Sequence, residues 1–340
     1  MLGGDAFRDG ARAVQVTHVV DPDESIAQAV AGPLGAKPIS TLDDMLADGV
    51  DIAIIASPNG FHAGQIVALC EAGVRGIMAE KPLATTVDEV HQVAEAVRSA
   101  GTALVVGAMH LYDPSWLAAF EAMPGGQAPY QARCAVYIPP NPHFEDMATT
   151  MVRPAPGASQ GARPSAADIL RGGVLGLAIH DLPLIRRFIP SLSEIVVADV
   201  LAPWGYAMTA RGEAGSVELL ARTGGTWSPD WTLDIWGADT RLSMSFPPSY
   251  VHSGSATARV DGPEGSRVFG PYPDDGYLAE WRELLSVMDG APARYGLDDV
   301  VADIEYAIQV ADLSATPKAD LSATPTADLS AAVQTGGDAA

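Results

Sequence analysis

A chain of 340 residues has room for about two domains of ordinary size. With 48% apolar and 18% charged residues it can bury a substantial core. Its formal net charge of −22 repels phosphate backbones and anionic headgroups, which argues against nucleic acid and membrane surfaces as partners. The two cysteines, Cys70 and Cys134, cannot build a disulfide framework and read as small buried hydrophobes in a reducing cytoplasm. No apolar run approaches the ~18 residues of a membrane span, and residues 1–12 lack the apolar stretch of a secretory leader.

The first third alternates short apolar runs with helical patterns. Residues 14–20 are rich in β-branched side chains, stop at Asp21-Pro22-Asp23 and are predicted to be one strand. Residues 25–31 are helix-prone, with Gly32-Pro33 as the expected stop. Thr41-Leu42-Asp43-Asp44 has the hydroxyl cap and first-turn acids of a helix start. The run from Asp51 to Ala56 is predicted to be a strand buried on both faces of a parallel sheet. Ser57-Pro58-Asn59-Gly60 breaks it, and Ile66, Leu69, Cys70 and Val74 then form a helical stripe.

A further strand is expected at Gly76-Ile77-Met78-Ala79, ending at Glu80-Lys81-Pro82. Thr86 and Glu89 have capping-box spacing ahead of Val90, Val93, Ala94 and Val97, and Gly101 supplies the stop. Ala103-Leu104-Val105-Val106 is the next strand. Strands alternating with helices at this spacing define βαβ units and a doubly wound α/β sheet of Rossmann type.

After Tyr112 the texture changes. Residues 131–138 alternate like an antiparallel strand, with Ala132, Cys134, Val136 and Ile138 on one face. Residues 139–164 read as a long Pro/Gly/Ala-rich loop. Residues 172–188 read as one helix begun by paired glycines. Strand-like segments at 195–200, 216–222, 231–236 and 241–246 imply an antiparallel sheet with one covered face. Two amphipathic helices follow, at 277–288 (with Leu278, Trp281, Leu284, Leu285 and Met288 on one side) and 298–310. From Ala311 the motif A-D-L-S-A-T-P recurs with a period of eight, which reads as a flexible tail. The expected division is therefore 1–112, a dinucleotide-binding type of domain; 113–312, an α+β domain; and 313–340, a tail.

Ligands of doubly wound sheets bind beyond the carboxyl ends of the strands. Asp21, Ser57-Pro58-Asn59 and Glu80-Lys81-Pro82 all follow predicted strands and should face one crevice. Asp21 can accept hydrogen bonds from ribose hydroxyls or simply cap its own turn. Lys81 is one of three lysines; burial and an adjacent Glu can tune such an amine for proton transfer or for holding a substrate oxygen.

The stretches D-I-A-I-I-A-S-P-N-G-F-H and E-A-G-V-R-G-I-M-A-E-K-P, between Asp51 and Pro82, resemble the Gfo/Idh/MocA family (glucose–fructose oxidoreductase, inositol dehydrogenase). The resemblance extends to about Leu313. It implies a Rossmann domain followed by an α+β domain with an open-faced antiparallel sheet. It further implies that Asp21 holds the adenosine ribose and that Ser57, Pro58 and Asn59 line the dinucleotide. His62 would sit at the mouth of the site, and Glu80 and Lys81 would flank the nicotinamide, with Lys81 touching the reacting hydroxyl. The glycine-led stretch ending at His180 resembles the family's D-x-G-x-H helix and implies that His180 is the active-site acid/base.

Two departures are visible. The carboxylate expected one helical turn before His180 is Gly176, and Asp181, rotated about 100° on a helix, is a poor substitute. Pro183 replaces a second aspartate and should bend or break the helix. No two glycines are separated by a single residue, so G-x-G-x-x-G is absent. Met1 to Phe7 reads as the remainder of a first helix, and the first strand and glycine loop are expected upstream of Met1; the alternative is a natural cofactor-less remnant. Other candidates are weaker. His143, Glu145 and Asp146 match no zinc spacing, so no metal is expected. His110 and Tyr112 either reach substrate or pack. Trp227, Trp231 and Trp236 are expected to pack the sheet rather than stack on a sugar.

The sequence thus predicts an NAD-dependent oxidoreductase (NADP not excluded) that passes a hydride to or from a sugar-like or polyol-like small molecule. Lys81 and His180 would manage the oxygen and its proton. The runner-up is a non-redox member of the same fold, a binding or regulatory module or a lyase-like enzyme. A dimer or tetramer through the open sheet face is implied by the resemblance, and a cytoplasmic location by the composition.

Overall fold

The computed structural model describes residues 7–9, 12–139, 164–224, 230–249, 251 and 253–316. The expected loop cluster His143, Glu145 and Asp146, together with Trp227, Met1 to Ala6 and the chain from 317 onward, lies outside the described residues.

The chain starts with a short antiparallel pair, β1 (Phe7–Asp9) and β2 (Arg12–Val14), with Phe7 opposite Val14. Phe7 is therefore in a strand, not at the end of a helix as the sequence predicted. The run 14–20 also divides, because β2 ends at Val14 and β3 (His18–Val20) begins four residues later. From β3 onward strands and helices alternate: α1 (Glu24–Leu34), β4 (Lys37–Ile39), α2 (Leu42–Asp48), β5 (Ile52–Ile55), α3 (His62–Glu71), β6 (Gly76–Ala79), α4 (Val87–Ala100) and β7 (Ala103–Val106).

Local chemistry sets these boundaries. Helix α1 runs through Gly32 and Pro33, which were expected to stop it. Proline loses only its own N–H bond in a last turn, and the real stop is Gly35 in the left-handed region, its N–H closing on Ala31 and Gly32. Thr41 caps α2 through the N–H of Asp44. Thr86 and Glu89 form the expected capping box on α4, and Gly101 ends it. Val90, Val93, Ala94 and Val97 are all buried beneath it.

All pairs from β3 to β7 are parallel, in the order β5-β6-β7 and, separately, β3-β4. No ladder joins β3 to β5 among the described residues, so the parallel sheet is in two pieces. This corrects the expectation for β5. Ala53 and Ile55 are buried, but Ile54, on the opposite face by the pleat, is 50% exposed.

The second half contains α5 (Met109–Tyr112), α6 (Pro114–Ala122), β8 (Tyr130–Ile138), α7 (Ala166–Gly176), α8 (Leu182–Arg186), β9 (Glu194–Val200), β10 (Gly205–Gly212), β11 (Gly215–Thr223), β12 (Asp230–Trp236), β13 (Arg241–Ser245), β14 (Thr257–Gly262), β15 (Gly265–Phe269), α9 (Gly276–Met288) and α10 (Leu297–Ala315). Strands β8 to β15 form one sheet in the order β15-β14-β13-β12-β8-β11-β10-β9. It is mixed rather than wholly antiparallel as expected, because β8 and β11 pair in parallel. Ala132, Cys134 and Val136 of β8 are buried beside Val217, Leu219 and Ala221 of β11. Helices α7 and α10 cover this face near β9 and β10, and α6 covers it near β14. On the outer face Gln131, Arg133 and Arg222 are exposed.

The helix expected over 172–188 is three pieces. Helix α7 ends at Gly176, Leu177 leaves helical geometry, residues 178–180 form a 3₁₀ turn, and Pro183 sits in the first turn of α8. Of the paired glycines, Gly173 is required by packing, since a Cβ there would enter the Tyr206 ring. The two halves meet through α9, which packs on β6 and β7, and through α10, which packs on α4 and α7. A Cβ on Gly76 would strike the Met288 sulfur. The guanidinium groups of Arg186 and Arg187 both close on buried Asp303 of α10. Helix α10 runs to Ala315, so most of the first A-D-L-S-A-T-P copy is helix rather than tail.

Candidate active site

The turns after β5 and β6 are tied together by one side chain. The Nε2 of His62 lies 2.6 Å from the carbonyl oxygen of Ser57, and its Nδ1 lies 2.8 Å from that of Pro82. The ring is 1% exposed. His62 is thus a buried strap, not a residue at the mouth of the site as the resemblance implied. Its position at the start of α3, five residues after Ser57, lets the ring reach both turns at once. The Ser57 hydroxyl is taken up by Gln65 Oε1 at 2.6 Å, while Pro58 and Asn59 are exposed at the start of a 3₁₀ turn. The Glu80 N–H donates to the Ile55 carbonyl at 2.8 Å, which holds the Glu80-Lys81-Pro82 turn across the end of β5. The Lys81–Pro82 peptide is cis.

Lys81 crosses from this turn to the second half of the chain. Its Nζ donates to the carbonyl oxygen of Gly176, the last residue of α7, at 2.6 Å. Cations suit a helix C-terminus, where carbonyls are unpaired. Burial holds the ammonium below the ordinary lysine range, and the neighbouring Glu80 carboxylate opposes that shift. One 3₁₀ turn beyond Gly176 stands His180, 8% exposed, with an Nδ1 that has no hydrogen-bond partner. Burial first, then the charges of Lys81 and His110, push its pKa well below the ordinary 6.5, so the ring is neutral at neutral pH. Lys81 thus reaches the segment that leads to His180, and its charge acts on that ring. Position 176 offers only a carbonyl.

Asp181 points the other way. It is 0% exposed and accepts three hydrogen bonds: from His110 Nδ1 to Oδ1 at 3.0 Å, and to Oδ2 from Trp231 Nε1 at 2.8 Å and the Cys134 thiol at 3.1 Å. His110 in turn stacks on Phe246, 3.7 Å between ring centroids, and its ring lies 5.8 Å from that of His180. Sequence reasoning discounted Asp181 as misdirected and missed that its direction gives His110 a carboxylate partner. A buried acid adjacent in sequence to His180 was the available signal.

Glu280, on α9, was missed because it sits within an amphipathic pattern whose apolar residues alone were counted. It is 4% exposed and accepts the Ala108 N–H. Burial and the nearby Glu80 carboxylate raise its pKa well above the ordinary range. Asp21 follows β3, in the other piece of the parallel sheet. Its N–H donates to Ile39 and its Oδ1 accepts the Asp23 N–H at 2.8 Å. Asp21 thus caps its own turn with one carboxylate oxygen. Among the described residues no hydrogen bond links it to the Ser57 or Lys81 turns.

Parallel βαβ units with polar turns at their carboxyl ends, followed by a mixed sheet, define a Rossmann-type protein with a second α+β half. Residues 3–108 match the model of the oxidoreductase family with an NAD-binding Rossmann fold known as GFO_IDH_MocA. The first third of the chain is thus similar to the dinucleotide-binding domain of this family. Inositol 2-dehydrogenase 3 of Saccharopolyspora erythraea is 33% identical over 141 residues, 39% of this chain and 41% of the relative. The scyllo-inositol 2-dehydrogenase (NAD(+)) of Bacillus subtilis is 32% identical over 114 residues, 32% of each chain. The chain thus matches about two fifths or less of these curated relatives' length. Two solved structures share the fold across both halves. GenD2 from gentamicin A biosynthesis, in complex with NAD, has a TM-score of 0.63 and 19% identity, covering 89% of this chain and 87% of its own. UDP-N-acetylglucosamine 3-dehydrogenase GnnA from Acidithiobacillus ferrooxidans has a TM-score of 0.65 and 18% identity, covering 88% and 91%.

Proposed function

We propose that this chain is an oxidoreductase that uses a nicotinamide dinucleotide to oxidise or reduce a CH–OH group of a sugar-like or polyol-like small molecule. The observation that carries this reading is the pairing of Lys81, half-buried with its Nζ on one carbonyl, and His180, buried and neutral, at the carboxyl end of the β5-β6-β7 sheet. The inositol dehydrogenases among its relatives support the polyol class.

The residues present fit the two ends of such a cofactor. Asp21 would accept ribose hydroxyls, and its charge would repel a 2′-phosphate, which favours NAD over NADP. Ser57, Pro58, Asn59 and Glu80 would line the middle and the nicotinamide end. When bound, the nicotinamide supplies the hydride acceptor or donor. Lys81 orients the substrate oxygen by donating from Nζ. The neutral His180 takes the hydroxyl proton on oxidation and returns it on reduction. His62 acts one step back, by fixing the Ser57 and Pro82 turns relative to each other.

Residues 1–112 would form the dinucleotide half and 113–315 the substrate half. The exposed outer face of the eight-stranded sheet supports a homodimer or homotetramer. Two buried free cysteines support a cytoplasmic location. No helix of the described residues is long and apolar enough to cross a membrane.

Titrating NADH against the chain by nicotinamide fluorescence tests the reading. Saturable binding, weaker for NADPH, is expected, and a flat titration would overturn it. A cofactor-less reading draws on one observation: among the described residues no G-x-G-x-x-G turn joins a strand to a helix. It expects that flat titration.

A further inference from the structure

The two histidines of this region are built differently. His180 has an unpartnered Nδ1 and no carboxylate behind it. His110 has what a general base requires: an imidazole whose Nδ1 is held by a buried carboxylate, itself fixed by two more donors. Its ring plane is locked by Phe246 on its face and Trp231 at its edge. His110, 4% exposed, lines a small cavity with Met109, Asp113, Phe246, Pro247 and Gly276. Meanwhile Gly176 provides no carboxylate near His180.

Resting on the oxidoreductase reading above, we propose that the Asp181–His110 pair is the proton-relay partner of His180, standing in for the side chain that Gly176 lacks. Asp181 keeps the proton on Nδ1 of His110 and leaves Nε2 as the exchanging nitrogen. A proton accepted by His180 from the substrate hydroxyl then passes to His110, directly or through one water, and returns by the same path when the reaction reverses. No electrons move in this step. An N–H bond breaks on one ring and forms on the other. The groups that act on His180 are Lys81 from the turn after β6 and His110 from α5. Those on His110 are Asp181, the Cys134 thiol and Trp231 N–H that share its carboxylate, and the buried Asp113 carboxylate. Asp181 is a positioning residue in this scheme and His110 carries the proton.

The test uses the full chain with ¹⁵N-labelled histidine. Nitrogen shifts should show His110 as the Nδ1–H form, and Asp181→Asn should abolish that preference. His110→Gln keeps an amide donor for Asp181 and so preserves the fold, but cannot relay a proton. It should shift the protonation midpoint of His180, because the ring coupled to it is gone. With NAD⁺ and an inositol as probe, His110→Gln should lower kcat about 100-fold with KM for NAD⁺ unchanged. An Nε2–H tautomer at His110, an unmoved His180 midpoint, or full kcat in His110→Gln would each overturn the relay. Failure of the wild-type chain to bind NADH would instead overturn the oxidoreductase reading, while the nitrogen shifts still decide whether the two rings are coupled.

Discussion

The Nζ of Lys81 and the carbonyl oxygen of Gly176 are 2.6 Å apart, and this one bond joins the sheet turn after β6 to the helix that leads to His180. It spans 95 residues of sequence. A lysine at the end of a strand thereby neutralises the carbonyl end of a helix from the other half of the chain. Lys81→Met should cut turnover by about 100- to 10,000-fold, the range for a lost acid–base group. It should leave NADH binding within a few-fold, because Asp21 and the Ser57 turn are untouched. Steady-state kinetics beside a fluorescence titration separate the two effects.

Removing the Lys81 charge should also be felt by His180. The folded-state pKa of His180 is depressed below 6.5, chiefly by burial. Between that depressed value and 6.5 the unfolded chain binds a proton that the native chain does not, so stability falls as pH is lowered through this window. Urea midpoints measured from pH 7.5 downward should decrease, and His180→Gln should flatten that decrease.

Gly176→Asp restores a carboxylate at a position where a Cβ meets nothing within 4 Å. The change should be tolerated, with a loss of about 1 kcal/mol or less from placing a negative charge at a helix C-terminus. The carboxylate should draw the His180 midpoint upward. Histidine NMR across a pH series reads the shift, and thermal unfolding reads the cost.

Away from the site, Asp303 is buried and accepts from both Arg186 and Arg187, so it joins α8 to α10. Burial raises its pKa, and the two guanidinium groups hold it back. Asp303→Ala removes the carboxylate shared by two largely buried cations, leaving Arg186 only Asp299, and should cost about 3–5 kcal/mol. By contrast, Thr86→Ala, which removes one half of the α4 capping box, should cost about 1 kcal/mol. Denaturant unfolding of the two variants side by side tests that ranking.

Local chemistry was readable in the sequence wherever it was self-contained. The Thr41 and Thr86 caps, the Gly101 stop and the strands at β5, β6 and β7 need only neighbours in sequence, and they appear as predicted. The misses arise where distant packing decides. Strand β10 alternates Tyr206, Met208 and Ala210 toward the core, but its glycines and exposed Arg211 masked the period. The parallel pairing of β8 with β11 depends on chain routing that no local pattern carries. The helix expected over 172–188 breaks after Gly176, which displaces the one-turn geometry assumed between position 176 and His180. At the site, Lys81 stood out in the sequence by its place after a strand, and His180 only through the resemblance. The strap role of His62 and the Asp181–His110 pair were not, because each depends on which backbone or ring the fold delivers from 20 or 71 residues away.

The central claim is a nicotinamide-dependent site at Lys81 and His180. A calorimetric titration of NADH into the full chain, repeated with Lys81→Met and Asp21→Ala, tests it most directly. The account predicts one saturable site per chain, weakened by Asp21→Ala and nearly unchanged by Lys81→Met. No heat of binding with the unaltered chain, or binding indifferent to Asp21, would contradict it.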